Sequence, residues 1–173
     1  MNKFLPDMYQ QNIYSINYQK LKKNKIKLLI FDFDNTIMDK EETNIDDKLI
    51  NLFKELKKMF DIIIVSNTFK DEKITNFSNI CKINFINKAL KPLKKGYKKA
   101  QKIYSYKNNE IAMIGDQLLT DIFGVKKMNY FTILVDKVGK DDMNFTKVNR
   151  LIEKFLYKKL EKKFEFKRGK YYD

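Results

Sequence analysis

The chain has 173 residues, of which 43% are hydrophobic and 14% aromatic, so it is long enough for one domain with an ordinary core and is not disordered throughout. Histidine is absent, which removes the most common general base and transition-metal ligand, and the single cysteine, Cys81, excludes an intramolecular disulfide. We therefore expect a cytoplasmic protein whose chemistry depends on carboxylates, hydroxyls, lysine and hard cations.

The formal net charge of +14 raises the question of nucleic-acid binding, but the basic residues are almost all lysine. Only Arg150 and Arg168 carry the guanidinium that recognises phosphates and bases with paired hydrogen bonds. We expect no specific nucleic acid partner and regard most of the charge as solvated surface, with a residual attraction to anionic membranes or substrates. No apolar run approaches the roughly 20 residues that span a bilayer, and we expect no secretory signal.

Residues 1–24 are interpreted as an accessory segment, because their apolar side chains follow no sustained period. These side chains are Phe4, Leu5, Met8, Tyr9, Ile13, Tyr14 and Ile16. Two interpretations remain open: an arm packed on the core, which we favour, and a contact with a membrane or a partner.

Strands and helices alternate through residues 25–163, which we interpret as the catalytic domain. Strands are predicted at 28–31, 62–65, 82–87, 111–114 and 130–138, and helices at 46–60, 70–80, 93–104, 118–126 and from Thr146 onward. This alternation predicts a three-layer α/β/α, Rossmann-like fold with a mainly parallel sheet. Residues 164–173 are expected to form a frayed tail.

Polar side chains follow four of the predicted strands. They are Asp32 and Asp34, Ser66 and Asn67, Lys91, and Gly115 and Asp116 with Asp121. Because the carboxyl ends of parallel strands share one edge of the sheet, we expect these residues to converge. Each group alone has an ordinary interpretation: a solvated turn, one lysine among many, or, for Asp121, a helix cap or a partner of Lys126. Together and in this order they predict an active site.

The converging groups supply what phosphoryl transfer requires. Asp32 can attack phosphorus and form an aspartyl-phosphate, while Asp34, two residues further on, can act as acid and then as base. Ser66 and Asn67 can donate hydrogen bonds to phosphoryl oxygens. Lys91 can neutralise charge on both the phosphate and the nucleophile.

Magnesium is the predicted cofactor, since Mg²⁺ binds to a few carboxylates and keeps several waters. The candidate metal ligands are Asp32, Asp34 and Asp116. Three further residues are candidates for supporting roles: Thr36 as a turn former, Gly115 for the sharp turn before Asp116, and Asp121.

These motifs resemble those of the haloacid-dehalogenase (HAD) superfamily of phosphatases and phosphotransferases. The matching residues are 32–36, 66–67, 91–92 and 115–121. More narrowly, the chain is similar to the subclass IIIA branch that includes phosphatidylglycerophosphate phosphatases, and this similarity extends to residues 4–7, 13–16 and 146–150. Phe33 and Ile37 stand where leucine is more usual, and residues 38–41 lack an expected aromatic. The resemblance implies a Mg²⁺-dependent phosphatase that acts through an aspartyl-phosphate.

The spacing of the motifs leaves no room for a separate cap domain, so we expect an open site. Such a site suits a large or surface-borne phosphomonoester, and the leading hypothesis is phosphatidylglycerophosphate, reached by peripheral contact with the inner face of the membrane. One alternative is a capless phosphatase for a soluble sugar, nucleotide or polynucleotide phosphate. A small sugar phosphate would need a neighbouring subunit to close the pocket, and an oligomer is compatible with the sequence. Another is a basic nucleic-acid-binding module with a degenerate site, against which the intact motifs argue.

Overall fold

Seven strands form one sheet in the computed structural model, which describes residues 2–69, 71–139 and 147–171. The strands are β1 Met8–Gln10, β2 Leu28–Phe31, β3 Asp61–Val65, β4 Asn84–Ile86, β5 Ile111–Gly115, β6 Phe131–Val135 and β7 Lys170–Tyr171. Their order across the sheet is β4-β3-β2-β5-β6-β1-β7. Every neighbouring pair is parallel except β1 with β7, which is antiparallel.

Helices cover both faces of this sheet. They are α1 Tyr18–Lys23, α2 Asp47–Leu56, α3 Asp71–Cys81, α4 Lys94–Tyr104, α5 Phe123–Lys126 and α6 Lys147–Phe164. The π-helical turn Leu118–Ile122 precedes α5 directly. None of the helices in the described ranges is both long and apolar enough to cross a membrane.

The side chains of β2 show how the sheet divides the core. Leu29 and Phe31 point to one face and pack with α2 and α3, while Leu28 and Ile30 point to the other and pack with α4 and α5. All four are completely buried, as expected for the central strand of a parallel sheet covered on both sides. This arrangement confirms the predicted three-layer α/β/α fold.

The first 24 residues contribute to the sheet, which corrects their interpretation as an accessory segment. Strand β1 lies between β6 and β7. Asp7 anchors its start, because its backbone N–H donates to the Thr132 carbonyl at 2.9 Å and its carboxylate accepts from the Thr132 N–H at 2.7 Å. Phe4 stacks on Phe123, with ring centroids 4.6 Å apart. Met8 is completely buried. Most apolar residues of this segment therefore pack on the core, while Tyr14 is exposed.

The prediction of a frayed tail is wrong for residues 164–171. Strand β7 pairs with β1, and Phe166 stacks on Tyr9 with a centroid separation of 4.8 Å. Asp136 joins both ends of the chain to the sheet, since it accepts a hydrogen bond from the Tyr9 hydroxyl and pairs with Arg168, each at 2.6 Å.

Several element boundaries differ from the predicted ones. Helix α2 ends at Leu56 rather than near residue 60, and β6 ends at Val135 rather than at 138. The predicted helix over 118–126 is divided into the π-helical turn and α5. Two predicted helix starts, Lys70 and Thr146, lie outside the described residues.

Candidate active site

The predicted site residues converge at the carboxyl edge of the sheet. Asp32, Ser66 and Asp116 each come one residue after a strand, following β2, β3 and β5. Lys91 lies in the turn between β4 and α4. These four strands are adjacent in the order β4-β3-β2-β5, and all four side chains are buried. The sheet topology therefore joins residues that are up to 84 positions apart in the sequence (116 − 32 = 84).

Lys91 is the electrostatic centre of this group. Its ammonium forms a very short ion pair with Oδ1 of Asp32 and a second ion pair of 2.8 Å with Oδ1 of Asp121. Burial alone would lower the pKa of this lysine, but the two carboxylates raise it well above its usual value. Lys91 is therefore held charged beside Asp32.

Asn67 supports Lys91 in a way that the sequence did not indicate. Its side-chain oxygen accepts from the Lys91 backbone N–H at 2.7 Å, and its amide nitrogen donates to the Lys91 carbonyl at 3.0 Å. One amide hydrogen of Asn67 remains for a phosphoryl oxygen. Ser66 also faces the cleft, and its hydroxyl oxygen accepts from the Thr68 N–H at 3.1 Å.

Thr36 lies between two of the acidic residues. Its hydroxyl oxygen is 3.1 Å from Oδ2 of Asp32 and 3.1 Å from Oδ1 of Asp116. Because a hydroxyl carries one proton, it can donate to only one of the two carboxylates at a time. Thr36 therefore fixes the separation of the carboxylates without neutralising them.

Asp32, Asp116 and Asp121 form a buried cluster in which one carboxylate oxygen of each lies within 4.8 Å of the others. With all groups ionised, three carboxylates and the Lys91 ammonium leave a net charge of −2 (−3 + 1). Burial, and then the neighbouring carboxylates, raise the pKa of Asp116 well above its usual value; burial raises the pKa of Asp121 to about 6 even though Lys91 opposes this. A hard divalent cation would compensate this uncancelled negative charge, so the donor set fits such an ion.

The carboxylate of Asp34 does not belong to this cluster of side-chain oxygens, and its metal-ligand role stays a prediction. Asp34 instead lines the cleft and is half-buried. Burial, and then the charge of Asp32, raise the pKa of this carboxyl, while Lys73 and Lys40 act in the opposite direction. A raised carboxyl pKa suits a group that must donate a proton near neutral pH.

Gly115 and the π-helical turn together place Asp121 in the cluster. Gly115 has no side chain to exclude the Asp121 carboxylate, and the Gln117 backbone N–H donates to Oδ2 of Asp121 at 3.2 Å. The alternative partner considered for Asp121, Lys126, instead pairs with Asp7 at 2.5 Å. Asp121 is thus part of the site rather than a surface cap.

Glu153 is a structural contributor that the sequence analysis missed. It lies on α6, and its carboxylate accepts hydrogen bonds from the backbone N–H groups of Leu118 and Leu119 at 3.2 and 2.8 Å. These N–H groups begin the turn that carries Asp121. A single acidic residue on an amphipathic helix gives no sequence signal for such a contact, because the partner lies 34 to 35 positions away.

Asp32 of the cluster lines a cleft of about 570 Å³. Polar side chains of the site motifs line it together with Lys40, Phe69, Pro92, Leu119 and Thr120. Between Asp34 and Ser66 the chain forms only one loop, α2 and β3, and the described residues between Ser66 and Lys91 form α3 and β4. The described part of the chain therefore contains no separate cap domain over the cleft, as the motif spacing predicts.

Comparison with known proteins identifies the family. The sequence model of the family described as mitochondrial PGP phosphatase matches residues 1–139. The chain is also 37% identical over 161 residues to the probable phosphatase YqeG of Bacillus subtilis (strain 168), which covers 92% of this chain and 93% of the relative.

Solved structures with this fold include a predicted HAD-like family hydrolase from Porphyromonas gingivalis, with a TM-score of 0.54 and 10% identity over 74% of this chain and 98% of that one. Another is the 3-deoxy-D-manno-octulosonate 8-phosphate phosphatase of Yersinia pestis, with a TM-score of 0.51 and 14% identity over 88% and 91% of the two chains. At these identities the two structures support the fold alone. The family match and the relative at 37% identity, with the converging motifs, establish that the chain belongs to the PGP phosphatase family and is a phosphomonoesterase of the HAD superfamily.

Proposed function

We propose that the protein is a Mg²⁺-dependent phosphatase that hydrolyses the terminal phosphomonoester of phosphatidylglycerophosphate through an aspartyl-phosphate. The observation that carries this proposal is the contact between the Lys91 ammonium and the Asp32 carboxylate in an open cleft. The match to the PGP phosphatase family supports the choice of substrate.

In the first half-reaction, a carboxylate oxygen of Asp32 attacks phosphorus and the bond from phosphorus to the substrate oxygen breaks. Asp34 donates its proton to the departing alkoxide, which leaves as an alcohol. Lys91 remains beside the nucleophile and offsets the negative charge that the phosphoryl group brings to it.

In the second half-reaction, Asp34 is ionised and accepts a proton from a water molecule as that water attacks the phosphorus of the aspartyl-phosphate. The bond from phosphorus to the Asp32 oxygen breaks, inorganic phosphate leaves and the Asp32 carboxylate is restored. Asn67 and Ser66 line the cleft, and the amide hydrogen of Asn67 and the hydroxyl of Ser66 would donate to phosphoryl oxygens in both steps.

The cluster of Asp32, Asp116 and Asp121 would hold the Mg²⁺ ion. Bound there, the ion would supply positive charge for the phosphoryl oxygens as negative charge shifts during transfer. Its preference for oxygen ligands agrees with a site made only of carboxylates and a hydroxyl in a chain that has no histidine.

The open cleft supports a lipid head group as substrate, because the phosphate of a lipid must be reached at the surface of a bilayer. The test is release of phosphate from phosphatidylglycerophosphate in mixed micelles, compared with glycerol 3-phosphate and a soluble sugar phosphate. We expect the lipid to be hydrolysed with the highest kcat/KM, and Asp32→Asn, which removes the attacking charge at nearly constant volume, to have no measurable turnover.

A wide preference for a soluble ester would reject the lipid assignment and leave the phosphatase assignment intact. Turnover near wild type by Asp32→Asn, with contaminating phosphatase excluded, would reject the covalent mechanism.

A further inference from the structure

Three large apolar side chains are exposed beside the cleft, and we call them the rim patch: Phe69, Leu90 and Leu93. Their exposed fractions are 73%, 54% and 60%. Phe69 follows β3 and lines the cleft, while the two leucines flank the Lys91–Pro92 turn.

The two loops that carry the rim patch are in contact with each other. The Lys88 backbone N–H donates to the Thr68 carbonyl at 3.4 Å, and the Lys88 ammonium lies 5.6 Å from the centre of the Phe69 ring. The Leu93 N–H donates to the Leu90 carbonyl at 2.8 Å, which closes the turn around Lys91. The rim patch therefore lies on two neighbouring loops beside the active site.

Leu90 occupies a backbone position that disfavours leucine. Its φ is +58°, in the left-handed region where asparagine and glycine are favoured and a branched apolar side chain is strained. Its side chain gains little from burial in the folded chain, since more than half of it is exposed. Neither the backbone nor the core therefore explains a leucine here.

Leu93 presents a second mismatch of the same kind. It is the N-cap residue of α4, where serine, threonine, aspartate or asparagine would accept a hydrogen bond from the first turn, and its side chain makes no capping bond. Two neighbouring positions thus carry exposed leucines where the local backbone favours polar residues. The apolar surface itself is what these residues contribute.

The chain around Leu90 and Leu93 is rich in lysine, whereas Asp71 and Glu72 follow Phe69. Residues 73–109 contain ten lysines and no aspartate or glutamate. Lys88 is exposed in the loop before Lys91, Lys94 and Lys95 are exposed at the start of α4, and Lys98 and Lys99 are exposed further along the helix. Apolar side chains surrounded by lysines match a surface that is apolar inside and negatively charged outside.

We propose that the rim patch and its surrounding lysines dock the protein on an anionic lipid bilayer, with the mouth of the cleft facing the lipid head groups. This inference rests on the proposed lipid phosphatase function and assigns the contact to named residues. The first turns of the chain do not provide the contact, because Phe4 stacks on Phe123 and Met8 and Tyr9 are buried. Shallow insertion of Leu90 and Leu93 beside Lys91 would bring a phosphomonoester at the bilayer surface to the cleft.

The test compares the full-length wild type with the double variant Leu90→Asn/Leu93→Ser. Asparagine suits the left-handed backbone at position 90 and serine suits the N-cap at position 93, so the variant should melt about 2–6 °C higher than the wild type. Co-sedimentation with vesicles of phosphatidylglycerol and phosphatidylcholine, without substrate, should show at least tenfold weaker binding. Turnover of a water-soluble phosphomonoester should be unchanged.

A matched control removes two apolar side chains of similar exposure, 44% for Ile80 and 50% for Ile103, away from the cleft. Ile80→Asn/Ile103→Ser changes two exposed isoleucines at the far ends of α3 and α4, and Ile103 lies ten residues, or about 15 Å, along α4 from Leu93. This control should bind anionic vesicles like the wild type. Vesicles of phosphatidylcholine alone should bind the wild type at least tenfold more weakly than anionic ones.

Equal vesicle binding by the wild type and the Leu90→Asn/Leu93→Ser variant would overturn the docking assignment. Failure of the wild type to bind anionic vesicles would overturn it as well. A wild-type dimer that the double variant converts to a monomer would also overturn it, since the patch would then join two copies of the chain. Binding is measured without substrate, so a wild type that docks through the rim patch but does not hydrolyse phosphatidylglycerophosphate would refute the proposed function and leave the docking surface standing.

Discussion

The carboxylate of Asp121 lies in the space that a side chain at Gly115 would fill. A Cβ atom built at position 115 would be 2.5 Å from the Cβ of Asp121 and closer still to its carboxyl group. Asp116 and Asp121 can therefore both lie in the carboxylate cluster, with Asp121 paired to Lys91, only when residue 115 is glycine. The glycine serves close packing here, because its φ lies outside the positive region.

Gly115→Ala should displace Asp121 and break the geometry of the cluster. We expect turnover to fall by about 100-fold, as for a misplacement of roughly 1 Å near the reacting atoms. The forced overpacking should also reduce the free energy of unfolding by about 1–3 kcal/mol. Steady-state kinetics and urea denaturation measure the two effects.

Gly169→Ala is the matched control, because nothing lies within 4 Å of a Cβ built there although its φ is +77°. It should reduce stability modestly through backbone strain and leave turnover unchanged. Normal activity in Gly115→Ala would show that Asp121 tolerates displacement and is not needed where the structure places it.

The nucleophile strand and the order of the motifs were predictable because their signals are local. Leu28–Phe31 is a continuous apolar run that stops at Asp32, and such a run indicates a strand buried on both faces. Parallel topology then brings the other strand ends to the same edge without further information. The sequence therefore predicted the fold, and five of its candidate site residues line the cleft: Asp32, Asp34, Ser66, Asn67 and Lys91.

The supporting contacts were not predictable because they depend on the relative placement of distant elements. Asn67 reaches the Lys91 backbone across 24 positions, and Glu153 reaches the start of the π-helical turn across 34 or 35. Strand β1 was missed for another reason. Its three residues, Met8–Gln10, are too few to show a period, and all are buried.

Glu153→Gln should change how stability depends on pH. Burial raises the pKa of Glu153 to about 7 although two backbone N–H groups oppose the shift. The folded state therefore binds this proton more tightly than the unfolded state, whose glutamate has a pKa near 4.5, and the contribution of Glu153 to stability falls as pH rises from about 4.5 to 7. Glutamine does not titrate, so the variant should gain stability relative to the wild type across this window, by roughly 2–3 kcal/mol.

Urea denaturation of both proteins at pH 4.5, 6 and 7.5, in the presence of a chelator, measures this difference. The other acidic groups are common to both proteins and cancel in the comparison. A constant difference at the three pH values would mean that Glu153 titrates near its usual pKa in the folded state.

Phe166→Ala tests whether the C-terminal segment is part of the fold. The ring is 6% exposed and stacks on Tyr9, which lies in β1. Its removal leaves a cavity beside the sheet, so the free energy of unfolding should fall by about 3 kcal/mol. Phe155→Ala, which removes a ring that is 56% exposed, should change it by no more than about 0.5 kcal/mol. Equal effects of the two changes on the free energy of unfolding would support the prediction that the C-terminal segment is frayed.

Binding of Mg²⁺ to the carboxylate cluster should stabilise the protein as well as support turnover. The cluster and Lys91 together carry a net charge of −2 when ionised, which favours a divalent cation. At 100 times its dissociation constant, the bound ion should add about 2.7 kcal/mol to the free energy of unfolding. For a chain of this size we expect the melting temperature to rise by about 5–10 °C. Chelator should reverse the shift and abolish activity, and Zn²⁺ should restore activity poorly, since the site offers only oxygen ligands.

Asp116→Asn separates this metal effect from general ionic strength. The asparagine keeps the size of the side chain and removes one negative charge from the cluster, so Mg²⁺ should no longer raise the melting temperature at the same concentration. Without metal, the variant should be at least as stable as the wild type, because the buried carboxylates of Asp32 and Asp121 then have one fewer like charge beside them. If Mg²⁺ raises the melting temperature of Asp116→Asn as much as that of the wild type, or if the wild type is fully active in excess chelator, Asp116 is not a metal ligand.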